Sequence, residues 1–490
     1  MKTTTRYLPL LLVLLLALAL TGCGGKDSVP AAAPATAAPE SEGRTITLLG
    51  DHVECSGEGV SVSGSVATVT KGGEYLVSGT LDNGRILVDT GEAAEKVTLI
   101  LANAHLSNAE GAAILVQQAD KVKLVLADGS ENSVTSGSEG MPLSEDADGA
   151  AIFSEDDLDI EGGGALSVFG HINNGITCKD DLTIQGGVLT VCAANNGLRG
   201  SESVRMEAGS LTVEAGNDGL KSTSAKKQGK GYISVSGGEV TVTAAGDGLS
   251  AATQLLVTGG VIRSTTTGDP QLGSAKALKA EQGILLEGGV FTLDSTDHAI
   301  RSSGDLEIRG GVFTVSSSMG RGLAARGEVR ISGEPELDIN AIEDGILSDT
   351  DVRIEGGSFR IASGEDGIHA GDSMTGEGSV TIEGGSLLIS AYHDGIDAKS
   401  HLYVHGGNVL AVGRSKTEKT FSAASAQPFL SCSISAPSHS EVVVSAADGS
   451  VLGRMVVSYG FSQLLFSSAS LERGGAYTVS ADGVTVNAVA

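Results

Sequence analysis

The sequence predicts an all-β chain. Its bulk reads as a right-handed parallel β-helix of about 11 regular coils, with irregular N-terminal coils before it and a small antiparallel β unit after it. Three observations predict this. A motif of the form D/N-G-I/L recurs with a basic period of 22 residues, apolar and polar residues alternate with period two inside each repeat, and no helical periodicity competes with that alternation.

The register begins at Asp148-Gly149, Asn174-Gly175, Asn196-Gly197, Asp218-Gly219 and Asp247-Gly248. It continues through Ala277-Leu278, Ala299-Ile300 and Gly322-Leu323, which keep only the later part of the motif, and closes with Asp344-Gly345, Asp366-Gly367 and Asp394-Gly395. Several intervals are 22 or 23 residues and others 26 to 29, as insertions into one loop would give. Each unit repeats one interior. In Asp181-Leu182-Thr183-Ile184-Gln185-Gly186-Gly187-Val188-Leu189-Thr190-Val191, two short alternating strands flank a Gly-Gly turn, where glycine supplies positive φ without a Cβ penalty. Asp351 to Ile361 repeats the pattern, and a third short strand follows the motif, as in Ile176-Thr177-Cys178. Three short strands cannot bury an apolar face alone, but stacked units bury a continuous stripe. A propeller needs a longer blade repeat, and a leucine-rich repeat needs its own consensus and helix-like half; neither fits.

The helix is expected over residues 44–412, with loosely registered strands from Thr45 to about Val134 as first coils and cap. Residues 413–490 read as a linker and a C-terminal β cap, with strands at Glu441–Val444 and Gly475–Val479 covering the open end of the stack.

Residues 1–23 read as a secretory signal. Lys2 and Arg6 precede the apolar run Leu8–Leu20, and Leu20-Thr21-Gly22-Cys23 resembles a bacterial lipobox. That implies lipid on Cys23 and a cell-surface protein held to the outer face of the cytoplasmic membrane. Residues 24–43, rich in Ala, Pro, Ser and Gly, read as a flexible tether. Cys55, Cys178, Cys192 and Cys432 remain, without zinc-like spacing, and no bridge is assigned among them. The net charge of −28 excludes nucleic acid as a partner. Aromatic residues are 3% of the chain and Trp is absent, so a bound sugar would be held by polar groups or metal more than by stacking.

Ser154-Glu155-Asp156-Asp157-Leu158, Asn173-Asn174-Gly175-Ile176, Cys178-Lys179-Asp180-Asp181-Leu182-Thr183-Ile184, Asn217-Asp218-Gly219-Leu220-Lys221-Ser222 and Lys230-Gly231-Tyr232-Ile233 together carry a resemblance. The chain resembles the clostridial-type carbohydrate-binding lipoprotein family over about residues 45–485. The resemblance implies a right-handed β-helix, a pectin-type ligand such as polygalacturonate, and calcium, with no enzyme activity established. The middle of the chain departs from the D-G motif, which breaks any uniform row of sites.

On this register the residue before each motif glycine stacks as Asn174, Asn196, Asp218, Asp247, Lys276, His298, Arg321, Asp344, Asp366 and Asp394, so acidic or amide stretches flank a basic block. Stacked carboxylates repel without compensation, and calcium takes six to eight oxygen ligands, so Asp344, Asp366 and Asp394 are candidate ligands. A second acidic cluster joins Asp156 and Asp157 to Asp180 and Asp181, with Glu202 above. The same residues are also first of all turn formers, because Asp and Asn tolerate left-handed geometry and bond their own backbone. Lys226, Lys227, Lys230, Arg301 and Arg321 are candidate contacts for uronate carboxylates, beside the alternative of balancing an acidic surface. Lys221 and Arg199 lie near the same turns, and Tyr392 and Tyr403 are rings that either stack a sugar or pack on strands. Three functions stay open. They are a non-catalytic module that captures acidic polysaccharide, a structural adhesin or spacer, and a β-helical lyase or hydrolase; for the last, Arg301 and Lys279 are conceivable bases but no spacing selects either.

Overall fold

The computed structural model describes residues 43–141, 149–372, 374, 376–414 and 420–490. The expected signal, Cys23, the tether up to residue 42 and Asp148 lie outside the described residues. Among the described residues no helix is long and apolar enough to cross a membrane.

Alternation dictates the building block. In Val188–Ala193 every second residue is buried, and in Asp181–Ile184 Leu182 and Ile184 are fully enclosed. One coil consists of the three-residue strand Ile176–Cys178, then Asp181–Ile184, then Val188–Ala193. Each strand pairs in parallel with its counterpart one coil later, so Ile176 meets Leu198, Leu182 meets Val204 and Leu189 meets Leu211. The short strands form a sheet of fifteen, of which only the first joins antiparallel, leaving fourteen stacked coils. The other two strands of each coil belong to one 30-stranded sheet, fused because the long strand Lys96–Asn108 turns the corner and pairs with both Lys121–Leu126 and Glu131–Ser136. The solenoid therefore starts earlier than the regular motif does. Val66–Val69 already stacks in parallel on Arg85–Asp89, and two antiparallel hairpins close that end.

The interior is a set of apolar ladders. Ile176, Leu198, Leu220, Leu249, Leu278, Ile300, Leu323, Ile346, Ile368 and Ile396 are all fully enclosed. Phe291 and Phe313 stack with centroids 4.3 Å apart and planes 3° apart, as identical residues at one position of adjacent coils must. At the far end Phe461–Ser467 pairs antiparallel with the last coil's Asn408–Gly413 and with Phe429–Ala436. A four-stranded antiparallel sheet containing Glu441–Ala446 and Ala476–Ala481 completes the cap, over a second core that includes Val444, Phe466 and Val479.

Three details differ from the sequence reading. Ile152 pairs with Ile176, so Ala150 and Ala151 hold the places of Asn174 and Gly175, and the Asp148-Gly149 match is two residues out of register. The long intervals come from two corners instead of one. Residues 223–231 and 371–379 follow a short strand, whereas residues 267–277 precede one. The motif glycine does not adopt positive φ, and neither does the Asp or Asn before it. It is required by packing, because a Cβ on Gly197 would lie 2.2 Å from Val213 Cγ1 and 2.7 Å from the Gly219 carbonyl oxygen. Positive φ belongs to the second glycine of the Gly-Gly turn, such as Gly187 at 84°.

Candidate functional site

The first and third residues of each short strand face the core, so the middle residue faces outward. These middle residues form a column: Thr177, Arg199, Lys221, Ser250, Lys279, Arg301, Ala324, Leu347, His369 and Asp397. Several are nevertheless buried, with Thr177 at 0% and Asp397 at 4% exposure. Side chains rising from the turns on either side enclose them, so the short-strand face is the floor of a trough. One stretch of it is a depression bordered by Asp218, Lys221, Asp247, Lys279 and Glu281.

The motif column forms one wall, in the predicted order. Its repeated contact is structural. Asn174 Oδ1 accepts the backbone N–H of Asn196 at 3.0 Å, Asn196 Oδ1 that of Asp218 at 3.2 Å, and Asp218 Oδ1 that of Asp247 at 2.7 Å. Asp344 and Asp366 do the same for Asp366 and Asp394 at 3.1 and 2.9 Å. A buried N–H left unpaired is costly, so the motif residue must be an acceptor, and Asn and Asp serve equally. His298 shows the rule. Its Nδ1 takes the Arg321 N–H at 3.1 Å, in place of a carboxylate oxygen. Lys276 has no acceptor, and the His298 N–H turns to the Asp297 carboxylate at 2.7 Å.

The second carboxylate oxygen points into the trough and meets a cation. Lys221 reaches Asp218 Oδ2 at 2.7 Å, Lys279 reaches Asp247 at 3.3 Å, and Arg321 Nε reaches Asp344 Oδ2 at 2.8 Å. Arg321 also touches Glu343 at 3.2 Å, and although burial opposes its charge, these acids hold its guanidinium above its ordinary value. Asp344, Asp366 and Asp394 thus do share one column, yet each of the first two has one oxygen committed to backbone and the other to Arg321 or His369.

The second acidic cluster forms the other wall, also in register: Asp156, Asp180 and Glu202 in one column and Asp157, Asp181 and Ser203 beside it. The inserted loop folds back over part of it. Lys230 pairs with Asp181 at 3.0 Å and Glu202 at 2.7 Å, and Lys227 also pairs with Glu202. Burial opposes ionisation of Asp181, but hydrogen bonds from Ser203 and Lys230 outweigh it and hold its carboxyl below the usual range. Asp180 moves the other way, raised by burial and by the like charge of Asp157 against the relief from Lys227. Of the candidate cations, Lys227, Lys230 and Arg321 therefore sit in ion pairs, and Lys226 is exposed on the loop. Tyr392 lies under the Arg414 guanidinium at 4.7 Å and Tyr403 between the rings of His401 and His405, so both rings already stack on the chain's own groups.

Arg301 differs from these. It is half-buried on the trough floor, and among the described residues no carboxylate pairs with it within 4.0 Å. Burial and the neighbouring Arg326 and Arg321, against relief from Asp349, push its guanidinium below its ordinary value.

Sequence reasoning missed His369 and Asp397. Both lie three residues after a motif Asp (Asp366 and Asp394), the same offset as Lys221 from Asp218, so the repeat register itself held the signal.

The model of a family described as carbohydrate-binding domain-containing protein matches residues 63–320 and 311–458. A carbohydrate-binding domain-containing protein of Acetivibrio thermocellus is 39% identical over 181 residues, which are 36% of this chain and 62% of that protein. This chain thus spans less than two thirds of that relative's length. A solved structure described as the polysaccharide lyase-like protein from C. thermocellum, a gadolinium derivative, is 35% identical over 46% of this chain and 92% of that one, with a TM-score of 0.43. The match over most of its length places this chain in the family of carbohydrate-binding domain-containing proteins.

Proposed function

We propose that the protein captures acidic polysaccharide of the polygalacturonate type in the trough, without cleaving it. The observation that carries this is Arg301, a half-buried guanidinium beside two other guanidinium groups, influenced by Asp349 and Glu281 but, among the described residues, with no carboxylate within 4.0 Å. A planar fork that already carries the cost of burial gains most from a bidentate carboxylate, which is the group a uronate repeats along its chain. A neutral glycan offers no such partner. The surrounding −28 charge makes an isolated basic station the place where a polyanion can settle.

Calcium belongs to this proposal on the wall that carries Asp156, Asp157 and Asp180, whose ligand atoms do not all lie within 4.8 Å of one another and would draw together around the ion. Their donors are all carboxylate oxygens, which suit a hard cation, and the like charges crowding Asp180 are relieved by one. Asp181 and Glu202 are neutralised by Lys230 and Lys227, whereas Asp157 meets Lys121 more loosely, at 3.8 Å. Bound there, calcium supplies positive charge that bridges protein and uronate carboxylates. The lipobox-like Leu20-Thr21-Gly22-Cys23 supports lipid attachment at Cys23 and display outside the cytoplasmic membrane.

The test is retention of the full chain on immobilised polygalacturonate and on a neutral glucan, with and without chelator. Arg301→Ala is expected to weaken uronate binding by roughly ten- to a hundredfold, about 1.5–3 kcal/mol for a lost charge-assisted pair. Equal retention of wild type and variant would refute the placement. Release of unsaturated ends from the polymer would show a lyase instead.

A further inference from the structure

His369 stands out among the trough residues as a side chain between several carboxylates whose ring has a fixed orientation. Its Nε2 lies 3.2 Å from the Gly371 carbonyl oxygen, which can only accept, so Nε2 carries the hydrogen. Nδ1 faces Asp366 Oδ2 at 2.9 Å and Asp397 Oδ2 at 3.4 Å, where with no metal bound a second ring hydrogen bridges it to Asp366. A divalent cation can take the place of that bridging proton, leaving Nδ1 as a ligand. Asp344, Asp366 and His369 each place a ligand atom within 4.8 Å of the other two, and among the described residues no other set of three His, Cys, Asp or Glu does so.

We propose that His369 Nδ1, Asp366 and Asp344, with Asp397 at the edge, bind a divalent first-row transition ion such as zinc. Two features select this class over calcium. The donor set mixes an imidazole nitrogen with carboxylate oxygens, whereas calcium takes oxygen alone. The imidazole's far N–H is anchored on a backbone carbonyl, the support that orients metal-bound histidines. Arg321 competes for Asp344, but Glu343 at 3.2 Å offers it a second partner. The site is separate from Asp156, Asp157 and Asp180 and does not depend on the carbohydrate proposal.

The experiment is calorimetric titration of the full chain with zinc alone, without polysaccharide, for wild type, His369→Ala and Asp366→Asn. Asp366→Asn keeps an oxygen for the Asp394 N–H, so it separates loss of a ligand from loss of fold. A zinc site that weakens at least about tenfold in both variants, and that equimolar calcium does not displace, supports the proposal. Unchanged zinc binding in either variant, displacement by equimolar calcium, or no zinc binding by the wild type would overturn it.

Discussion

A single acceptor atom per coil decides much of what each motif residue can be. Asp247 is 1% exposed and its Oδ1 accepts the Lys276 N–H at 3.0 Å. Asp247→Asn is expected to fold nearly as well as wild type, while Asp247→Ala loses about 1–3 kcal/mol by stranding that N–H, as a denaturant series will show. His298 makes the same bond with a ring nitrogen and so adds a pH dependence. Burial, then the neighbouring Arg321, Lys276 and Arg301, outweigh Asp297 and depress its pKa to about 4. A depressed folded-state pKa means the unfolded chain binds the proton more readily. Its contribution is complete above the ordinary value of about 6.5 and is lost as pH falls from there toward 4. Unfolding temperature is therefore expected to fall through that window, and His298→Asn, which keeps an acceptor and cannot titrate, should flatten the slope. An identical slope in the variant would show that other groups set it.

At the level of elements, close approach of coils explains both glycine positions. The Gly187 type turns the chain, whereas the Gly197 type lets one coil settle on the next. Gly197→Ala is expected to cost about 1–3 kcal/mol by overpacking against Val213. Combined with Val213→Ala it should cost less than the sum of the two single changes, because the clash then has room to relax. A strictly additive pair would mean that the Gly219 carbonyl, not Val213, sets the limit. The aromatic ladder behaves as a core element. Phe313→Ala removes a 1% exposed ring stacked on Phe291 and should cost about 3–5 kcal/mol, read from thermal or chemical unfolding.

For the molecule as a whole, the ends of the solenoid are its liability. Parallel strands leave one row of N–H and C=O groups unpaired at each terminus, and here Phe461–Ser467 pairs antiparallel with Asn408–Gly413 to close one of them. A chain truncated after Gln427 is expected to self-associate, which light scattering across a concentration series will detect. A stable monomer from that truncation would mean that the last coil protects itself. The same stacking that creates the edges also creates the trough. Fourteen short strands carry fourteen outward positions in line, and the inserted corners rise at its sides.

Solenoid architecture made much of this legible in the amino-acid order. Period-two alternation fixes which side chains face inward, and a 22-residue repeat in parallel register brings equivalent residues together. The column from Asn174 to Asp394 was therefore correctly placed, as were Asp156 over Asp180 and Asp157 over Asp181. The sequence by itself also determined the acidic surface and the interruption of the ladder by Lys276, His298 and Arg321. Only the tertiary structure decided how each polar group is satisfied. The motif oxygen belongs to the next coil's N–H, Lys227 and Lys230 close back on Glu202 and Asp181, and Arg301 is left beside other cations. The reason is physical. Stacking depends on the period, which a sequence displays, whereas hydrogen bonds and ion pairs depend on loop paths and side-chain directions that insertions of unequal length set independently at each coil.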